Sequence, residues 1–351
     1  MVSVGIVGLP NVGKSTLFKV LTQKPVEIAN YPFCTVEPNK GIVEVPDKRL
    51  EQLVKMSNSL RQVPTVIEFV DIAGLVKGAN QGEGLGNQFL AQIRETDLIL
   101  EVVRNFSKDE IIHINNQINP KDDIETVNLE LILKDLETVE KYLGKVRRDS
   151  KANKAFAQQL AILEKIADWL KEGNLSRDLL SAIKSIKEKE IIESIFKNLQ
   201  LLTAKPIIYL LNNDLGKEID DFFYQPAISL DVKLELDSLT LSSSEREELE
   251  IPPSKLDALI SLCYATLNQI TFYTTGEKES RAWTIKKGET AEIAAGKIHS
   301  DFQKKFICAE VIDYQTLLQI GSWKKAKENG LIRFEGRDYL VKDGDVIIFK
   351  V

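Results

Sequence analysis

The sequence predicts a doubly wound α/β domain that is interrupted by a helical insertion and followed by a small α+β module. An apolar run at residues 2–7 enters a glycine-containing turn and then a helical pattern, and further β-branched runs follow. Apolar residues at spacings of three and four predict helices between about residues 125 and 204. We therefore place the α/β domain at residues 1–124 and 205–270, the insertion at 125–204 and the module at 271–351.

Five further runs predict the other strands of the α/β domain. They lie at residues 41–45, 65–70, 97–103, 206–212 and 226–229. Their β-branched and apolar content is typical of strands in such a sheet. We expect 41–45 to be an edge strand that precedes 65–70 in the chain, and 226–229 to be the last strand.

The turn after the first strand has the sequence GLPNVGKST, from Gly8 to Thr16, and matches the P-loop pattern G-x-x-x-x-G-K-[ST]. Gly8 and Gly13 allow backbone angles and a close approach that side chains would block, so that exposed N–H groups form an anion site. Lys14 is expected to reach the β- and γ-phosphates, and the Ser15 hydroxyl to bind Mg²⁺. The predicted nucleotide-binding residues of the turn are Asn11, Val12, Gly13, Lys14, Ser15 and Thr16.

Three further positions are expected to complete the phosphate and metal site. The strand at 65–70 ends in Asp71-Ile72-Ala73-Gly74, and an acidic residue at such a strand end holds Mg²⁺, usually through water. The backbone N–H of Gly74 would approach the γ-phosphate. Thr35 follows Ser15 by 20 residues in a proline-containing loop. In GTPase-like P-loop proteins such a threonine completes the Mg²⁺ shell and senses the γ-phosphate.

The glycine-rich segment after Gly74 bears on hydrolysis. Its four glycines between Gly78 and Gly86 disfavour a stable helix start, and we expect the γ-phosphate to order the segment. Leu75 stands where many GTPases carry the glutamine that orients the attacking water. Because a leucine side chain has no hydrogen-bonding group, another residue must orient the water.

Composition and charge limit the classes of protein. The 351 residues carry a net charge of −6, which disfavours wrapping of nucleic acid, so RNA contacts must be local and no DNA partner is expected. No apolar stretch has the length of a membrane span, and the first strand begins without a preceding signal sequence. The cysteines Cys34, Cys263 and Cys308 form no CxxC motif and fit a reducing compartment. We therefore expect a cytoplasmic protein without a membrane partner.

Several motifs extend the likeness beyond the P-loop. YPFCT at 31–35, DIAGLVKGANQGEGLGNQFL at 71–90, IIHI at 111–114, RAWTI at 281–285 and GKIHSDF at 296–302 resemble the YchF/Obg-like ATPase family of P-loop proteins. The resemblance spans nearly the whole chain. It implies a Ras-like G domain that prefers ATP, a C-terminal TGS domain with a ubiquitin-like β-grasp fold, and association with ribosomes.

The base preference depends on the residues that follow the strand at 206–212. GTPases carry N-K-x-D there, and the Asp binds the guanine edge. In this chain Asn212 matches the pattern, whereas Leu215 would leave the guanine donors unpaired and argues for ATP over GTP. The family pattern is N-x-x-E, from which Leu215 also departs, and an alignment shifted to Asp214 would weaken this argument. By resemblance, the adenine contacts fall on Asn212, Asn213 and Leu215, with Ser229 and Leu230 nearby.

The resemblance assigns two further roles. His113, in the IIHI segment, would position the hydrolytic water, since imidazole can accept a hydrogen bond near neutral pH. The alternative is a structural histidine. Lys14 and Gly74 would complete the catalytic group. In relatives with an apolar residue at the glutamine position, the P-loop asparagine, here Asn11, can help coordinate K⁺; the alternative is a loop asparagine bonded to its own backbone.

Two stretches with heptad spacing predict an antiparallel coiled-coil hairpin in the insertion. They contain Leu129, Ile132, Leu136, Val139, Leu143 and Val146, and then Phe156, Leu160, Leu163, Ala167 and Leu170. The tip between them carries Lys145, Arg147, Arg148, Lys151 and Lys154. This tip is either a contact for ribosomal RNA phosphates or an ordinary solvated turn. A further helix is predicted at about residues 177–202.

The C-terminal module has the pattern of a small α+β domain. Strands are predicted at 272–274, 282–285 and 345–349, a helix at 290–299, and a hairpin formed by 332–334 and 339–341. The region from residue 271 carries 14 Lys and Arg against 12 Asp and Glu. It shows no catalytic group, so docking to RNA or ribosomal protein is the role that the resemblance implies. His299 is interpreted as a structural or surface residue.

These features, together with the resemblance, imply a Mg²⁺-dependent ATPase that couples its nucleotide state to ribosome binding in translation or stress regulation. The coiled-coil tip and the TGS domain would contact the large subunit or the 70S particle. The cofactor is Mg²⁺, with K⁺ as a second ion if Asn11 has the role described above. Two alternatives stay open: an Obg-like GTPase, and a nucleotide-gated ribosome-binding protein with negligible turnover.

Overall fold

The computed structural model describes residues 1–23, 37–72, 85–107, 118–150, 157–214 and 222–351. Four predicted site residues, Thr35, Gly74, His113 and Leu215, lie outside these ranges. The described residues form two six-stranded sheets, and a group of helices is inserted between two strands of the first sheet. None of the described helices is both long and apolar enough to cross a membrane.

The first sheet belongs to the α/β domain, and its strands are numbered along the whole chain. They are β1 (Val2–Val7), β2 (Lys40–Glu44), β4 (Val66–Asp71), β5 (Leu98–Asn105), β6 (Ile207–Asn213) and β7 (Ala227–Leu230). The strand order is β2-β4-β1-β5-β6-β7, and all neighbours are parallel except β2, which runs antiparallel to β4. The predicted α/β class is confirmed, and the first and last of the further predicted strands lie at the two edges.

Helices pack on this sheet around one apolar core. They are α1 (Lys14–Thr22), α3 (Leu85–Glu95), α8 (Val232–Asp237) and α10 (Leu256–Thr266), whereas α9 (Ser243–Glu248) has no buried residue. The core joins Leu17 of α1, Ile93 of α3 and Leu259 of α10 to the fully buried residues of the central strands. Strands that are buried on both faces consist of nearly continuous apolar residues, which is why β1, β5 and β6 are recognisable in the sequence. The packing fixes the turn between β1 and α1.

Four helices occupy the insertion between β5 and β6. They are α4 (Pro120–Ser150), α5 (Ala157–Lys171), α6 (Ser176–Ala182) and α7 (Ile186–Leu199). Ion pairs join Arg147 to Glu164 and Lys171 to Glu140, and this order of the pairs shows that α4 and α5 run antiparallel. Their shared core is apolar, as the heptad pattern requires.

Three details of the insertion differ from the prediction or lie beyond the described residues. Leu129 is 52% exposed and does not join the core shared with α5, because α5 ends at Lys171, opposite Glu140, and the apolar seam on α4 starts at Ile132. The single helix predicted at 177–202 is wrong: it is divided, because Ser185 caps α7 by accepting a hydrogen bond from the backbone of Glu188. Phe156 lies outside the described ranges.

The second sheet lies at the C-terminal end. Its strands there are β8 (Gln269–Thr274), β9 (Ser280–Lys286), β10 (Cys308–Asp313), β11 (Arg333–Glu335) and β12 (Asp345–Lys350), and its helices are α11 (Ala291–Ile298), α12 (Ser300–Lys304), α13 (Tyr314–Ile320) and α14 (Trp323–Glu328). The predicted hairpin is wrong. β11 pairs with β10, which the sequence reading missed, and Leu340 makes only an isolated bridge to Thr290. His299 caps α12 by accepting from the backbone of Asp301, a structural role.

The sixth strand of the second sheet comes from the amino-terminal part of the chain. After β2 the chain forms α2 (Lys48–Ser57) and β3 (Gln62–Val63), and β3 pairs in parallel with β9. The complete order is β11-β10-β12-β8-β9-β3. Leu50 and Leu53 of α2 are fully buried in a core shared with the C-terminal residues. A stretch within the predicted boundary 1–124 therefore packs with the module at 271–351.

Candidate functional site

The turn between β1 and α1 needs glycine at two positions. Gly8 has φ +143° and Gly13 has φ +103°, both in the region that favours glycine. A Cβ atom at Gly8 would collide with the carbonyl of Val102, and one at Gly13 would stand 2.5 Å from Nδ2 of Asn212. Asn11 adopts a left-handed conformation with φ +63° and is exposed. The turn is therefore held close to β5 and β6, as a phosphate-binding turn must be.

The start of α1 presents backbone donors to an anion. The helix begins at Lys14, and its N-cap residue Gly13 has no side chain that could occupy the first N–H groups. These groups carry the partial positive charge of the helix dipole. Ser15 is exposed in the first turn, Thr16 is half-buried, and Val12 is fully buried beneath the turn. The hydroxyl of Ser15 is thus available to a metal ion that binds the phosphates.

Lys14 lies folded back against its own turn. Its Nζ donates to the carbonyls of Leu9 at 2.7 Å and of Gly8 at 3.1 Å, and the residue is only 8% exposed. Burial lowers the pKa of Lys14 to about 8, and the nearby Asp71 carboxylate partly offsets this shift. A buried ammonium group beside free helix donors is poised to bind an anion.

The residues proposed for Mg²⁺ are partly in place. Asp71 ends β4 and is the register partner of Ile6 on β1, so its carboxylate stands beside the P-loop strand. Its backbone N–H donates to the carbonyl of Asn39 at 2.8 Å. One hydroxyl and one carboxylate at this edge fit Mg²⁺, which takes few protein ligands and completes its shell with water and phosphate. Thr35, the third predicted ligand, lies outside the described residues.

A cavity of about 470 Å³ opens from the phosphate turn along the carboxyl ends of the strands. Its lining residues are Asn11, Gly13, Lys14, Ser15, Thr16, Phe106, Asn212, Asn213, Asp214, Asp231, Val232 and Lys233. The structure therefore brings most of the predicted P-loop residues together with the segment after β6. Ligands of doubly wound domains bind at this edge of the sheet.

The two predicted asparagines at the end of β6, Asn212 and Asn213, are both buried and hydrogen-bonded. Asn212 donates from Nδ2 to the carbonyl of Val12 at 2.9 Å and accepts at Oδ1 from the backbone of Val232 at 3.1 Å. Asn213 accepts from Asn105 at 2.8 Å and donates to the hydroxyl of Ser229. Both amides thus hold the walls of the cavity together, while each residue also lines it.

The other residues predicted to lie near the nucleotide base are found in different surroundings. Ser229 is half-buried and is bonded to Asn213, whereas the side chain of Leu230 belongs to the apolar core. Leu215 lies outside the described ranges. Asp214 lines the cavity, and its Oδ2 accepts from the backbone and the hydroxyl of Ser107 at 3.0 and 3.1 Å. Ser107 therefore already occupies one oxygen of the carboxylate that could read guanine.

Four lining residues were missed by the sequence reading. Phe106 follows β5, with the guanidinium of Arg104 4.5 Å from its ring centre. Asp231, Val232 and Lys233 follow β7, where Asp231 caps α8 through Leu234 at 2.8 Å. Their position directly after two parallel strands could have identified them, because ligands of such domains bind outside the carboxyl ends of the strands.

The fold and the P-loop geometry define the class: this protein is a P-loop nucleoside triphosphatase with a GTPase-type α/β domain. Residues 3–141 match a family described as "50S ribosome-binding GTPase", and residues 269–351 match one named YchF-GTPase C and described as "protein of unknown function". The chain belongs to the YchF family. It is 46% identical to the protein named ribosome-binding ATPase YchF from Bacillus subtilis, over 99% of this chain and 98% of that protein.

Two further relatives agree with this assignment. The protein of the same name from Mycoplasma genitalium is 46% identical over 100% of this chain and 99% of its own length. The solved structure titled as the YchF GTPase of Schizosaccharomyces pombe is 36% identical, with a TM-score of 0.86 over 99% of this chain and 97% of that chain. The relatives are thus named after both ATP and GTP hydrolysis, and the base preference has to be argued from this chain.

Proposed function

We propose that this protein is a Mg²⁺-dependent ATPase that hydrolyses ATP to ADP and phosphate and couples its nucleotide state to ribosome binding. The observation that carries the proposal is the phosphate site: buried Lys14 and the uncapped start of α1 face one end of the 470 Å³ cavity. The names of the relatives, ribosome-binding ATPases, support the nucleotide and the partner.

The phosphate chemistry is assigned to a few groups. Lys14 exchanges the carbonyls of Gly8 and Leu9 for the β- and γ-phosphates and stabilises the charge that develops during transfer. Ser15, Asp71 and Thr35 hold Mg²⁺, which supplies charge neutralisation at the phosphates. The Gly74 N–H donates to the γ-phosphate. His113 orients the water in place of the apolar Leu75.

The base end of the cavity favours ATP over GTP. Leu215 offers no acceptor to the guanine N–H groups, and Asp214 is already bonded to Ser107 through Oδ2. A guanine there would leave buried donors without partners, a loss that discriminates strongly between bases. The second candidate, an Obg-like GTPase, rests on the position of Asp214 in the cavity lining. It requires the Asp214 carboxylate to accept from the base in addition to Ser107 or in place of it.

The remaining assignments concern the ribosome and the ions. We assign the tip of an antiparallel coiled coil, near Arg148, and the C-terminal domain, as a β-grasp TGS domain, to contacts with the large subunit or the 70S particle in the cytoplasm. We also assign Asn11, which is exposed and has a left-handed backbone conformation, to help coordinate K⁺ beside the phosphates.

The decisive experiment compares calorimetric binding of nonhydrolysable ATP and GTP analogues to the full chain with Mg²⁺. We expect ATP to bind at least about tenfold more tightly than GTP, which corresponds to a difference of about 1.4 kcal/mol in binding free energy. Tighter GTP binding would mean that Asp214 reads guanine and that the chain is a GTPase. Removal of Mg²⁺ with a chelator should weaken binding of both nucleotides.

The rival with negligible turnover is tested by hydrolysis. His113→Ala should lower kcat by about 10²–10⁴-fold while leaving ATP affinity nearly unchanged, as loss of a general base or water-orienting group does. The matched control is His299→Ala, since the chain has only these two histidines and His299 caps α12. A wild-type rate that the His113 substitution leaves unchanged removes this role from His113, and no measurable wild-type rate favours the rival.

A further inference from the structure

The β2–β4 pair runs across the first sheet, from the end of the strands where the phosphate site lies to the opposite end of the strands. Its register runs from Lys40 beside Val70 to Glu44 beside Val66. At the phosphate end, the N–H of Asp71 donates to the carbonyl of Asn39 at 2.8 Å. At the far end, the N–H of Val45 donates to the carbonyl of Thr65 at 2.9 Å. The two strands therefore form one ladder that carries the proposed Mg²⁺ ligand Asp71 at one end.

At the far end of this ladder the chain leaves the first sheet and enters the second. The residues 46–64, which we call the interstrand segment, contain α2 and β3. α2 is anchored by Leu50 and Leu53, both fully buried against C-terminal residues. β3 is paired with β9, and its approach is fixed by Leu60 N–H to the carbonyl of Glu277 at 2.9 Å. The interstrand segment is thus an integral part of the C-terminal domain.

A polar cluster, formed by Asp47, Arg49, Tyr273 and Asp343, fixes the orientation of α2 on the C-terminal domain. Arg49 donates from NH1 to Asp343 at 2.6 Å and from Nε and NH2 to both oxygens of Asp47, and its guanidinium lies 5.4 Å from the ring centre of Tyr273. The Tyr273 hydroxyl donates to Asp47, and the other oxygen of Asp343 accepts from the backbone of Thr271 at 2.9 Å. A planar guanidinium bonded on two sides fixes orientation as well as distance.

A second connection joins the two domains but starts elsewhere. α10 packs in the core of the first sheet and leads directly into β8, and the Tyr264 hydroxyl of α10 lies 3.1 Å from the carbonyl of Ile270 and 2.9 Å from the hydroxyl of Thr271. Two separate connections prevent free rotation of one domain against the other. Of the two, only the interstrand segment begins at the strands beside the phosphate site.

We propose that the interstrand segment transmits the nucleotide state to the C-terminal domain as a rigid lever. The proposal rests on the proposed nucleotide function. The phosphate end of the ladder carries Asp71, whose N–H donates to Asn39 directly before β2, so a metal ion or phosphate that engages Asp71 acts on both strands. β2 is the edge strand, so within the described sheet it is hydrogen-bonded to β4 alone, and at Gly41 it packs against Thr22 and Phe18 of α1. A shift of β2 therefore breaks no hydrogen bond to any strand other than β4. Packed elements transmit such shifts as bodies because close-packed cores do not deform continuously.

The lever has a reciprocal consequence. If the nucleotide state changes the position of the C-terminal domain, a partner that holds that domain must change nucleotide affinity by the same factor. A break in the polar cluster should therefore alter nucleotide binding although Arg49 does not line the nucleotide cavity.

The first test is amide hydrogen exchange of the full chain with ADP and with a nonhydrolysable ATP analogue. We expect exchange to differ between the two states at residues 40–45 and 66–71, and also in the interstrand segment and at 269–286. If both nucleotides bind but the differences stop at 45 and 66, the lever is wrong and the nucleotide function stands. If calorimetry shows that neither nucleotide binds, both proposals fall.

The second test weakens the cluster. Arg49→Ala should abolish the exchange difference at 269–286, retain it at 66–71, and change the ratio of ATP-analogue to ADP affinity about fivefold or more. The matched control is Arg337→Ala, which removes a C-terminal arginine bonded to Glu292 and to the Phe306 carbonyl. The control should leave the ratio within about twofold. If the ratio of ATP-analogue to ADP affinity is the same in Arg49→Ala and Arg337→Ala, the lever is contradicted. If Arg49→Ala does not fold, the exchange comparison on wild type decides the question.

Discussion

Asn212 donates a hydrogen bond from Nδ2 to the backbone carbonyl of Val12, 2.9 Å away and 200 residues earlier in the chain. Its Oδ1 accepts from the N–H of Val232 at 3.1 Å, and the residue is buried. The same amide therefore fastens the P-loop to the start of α8. This position makes Asn212 a support for the phosphate turn, in addition to its place in the cavity lining.

The first prediction concerns this support. Asn212→Ala should lower the free energy of unfolding by about 1–3 kcal/mol, because the buried Val12 carbonyl and Val232 N–H are left without this partner. It should weaken ATP, ADP and GTP binding by similar factors, since a loosened P-loop affects all phosphates alike. Urea unfolding and calorimetry with each nucleotide measure the two effects. The exposed Asn329→Ala is the control, and a loss confined to one base would show a direct base contact instead.

The second prediction concerns the pH dependence of stability. Burial lowers the pKa of Lys14 from 10.5 to about 8. Between these values the folded protein binds fewer protons than the unfolded chain, so the contribution of Lys14 to stability rises with pH. Without nucleotide, wild type should gain on the order of 1–3 kcal/mol relative to Lys14→Met between pH 7 and pH 10. Urea unfolding at both pH values measures the difference.

The control for Lys14 is Lys19→Met, an exposed lysine on the same helix. The pH-dependent gain of wild type should be larger relative to Lys14→Met than relative to Lys19→Met, because Lys14 is buried and Lys19 is exposed. Nucleotide affinity should fall above pH 8, because the phosphates bind the ammonium form of Lys14. Parallel stability curves for wild type and Lys14→Met would contradict the lowered pKa.

The parts of the molecule that could be predicted from the sequence are those governed by local pattern. The turn from Gly8 to Thr16 is specified by residue types at fixed spacing, and β1, β5 and β6 by the continuous apolar runs that burial on both faces requires. Val4, Ile6 and Leu100 are fully buried accordingly. The expected edge position of β2 also holds, since β2 pairs with β4 alone within the described sheet. Its alternating buried and less buried residues show that one face of the strand is better covered than the other.

The parts that could not be predicted depend on partners far along the chain. The pairing of β3 with β9 and of β11 with β10 follows from tertiary packing, and a strand of two or three residues carries too little pattern to choose its neighbour. The lining residue Phe106 was missed because an aromatic residue after a strand is as often core as site. Asn213 is engaged by Asn105, a contact that only the parallel register of β5 and β6 reveals.

The third prediction concerns Phe106 in the nucleotide cavity. Phe106→Ala should weaken nucleotide binding about tenfold to a hundredfold, because a lost aromatic contact is worth about 1.5–3 kcal/mol. The loss should affect ATP and GTP alike, since a ring contact with a base does not read its hydrogen-bonding edge. Calorimetry measures both affinities. The control is Phe223→Ala, because Phe223 is 87% exposed and does not line the cavity; unchanged binding in Phe106→Ala would place the base elsewhere.

The fourth prediction concerns the tip of the helical insertion. Lys145 and Arg148 are exposed near the end of α4, and Arg148 bonds only to its own helix through the Gly144 carbonyl at 3.3 Å among the contacts of the described residues. If they contact ribosomal RNA phosphates, the double variant Lys145→Gln/Arg148→Gln should bind 70S particles and large subunits more weakly at low salt. The slope of log affinity against log salt should fall by about two, one for each lost phosphate contact.

The control for the tip is Lys184→Gln/Lys187→Gln, which removes two exposed lysines around the junction of α6 and α7. Both double variants remove two positive charges from the insertion, so a general charge effect would weaken both to the same extent. Co-sedimentation at two salt concentrations separates the cases, and calorimetry should show unchanged ATP affinity in both variants. Equal loss in the two variants would mean that the tip has no contact of its own and that the charge of the whole insertion attracts the ribosome.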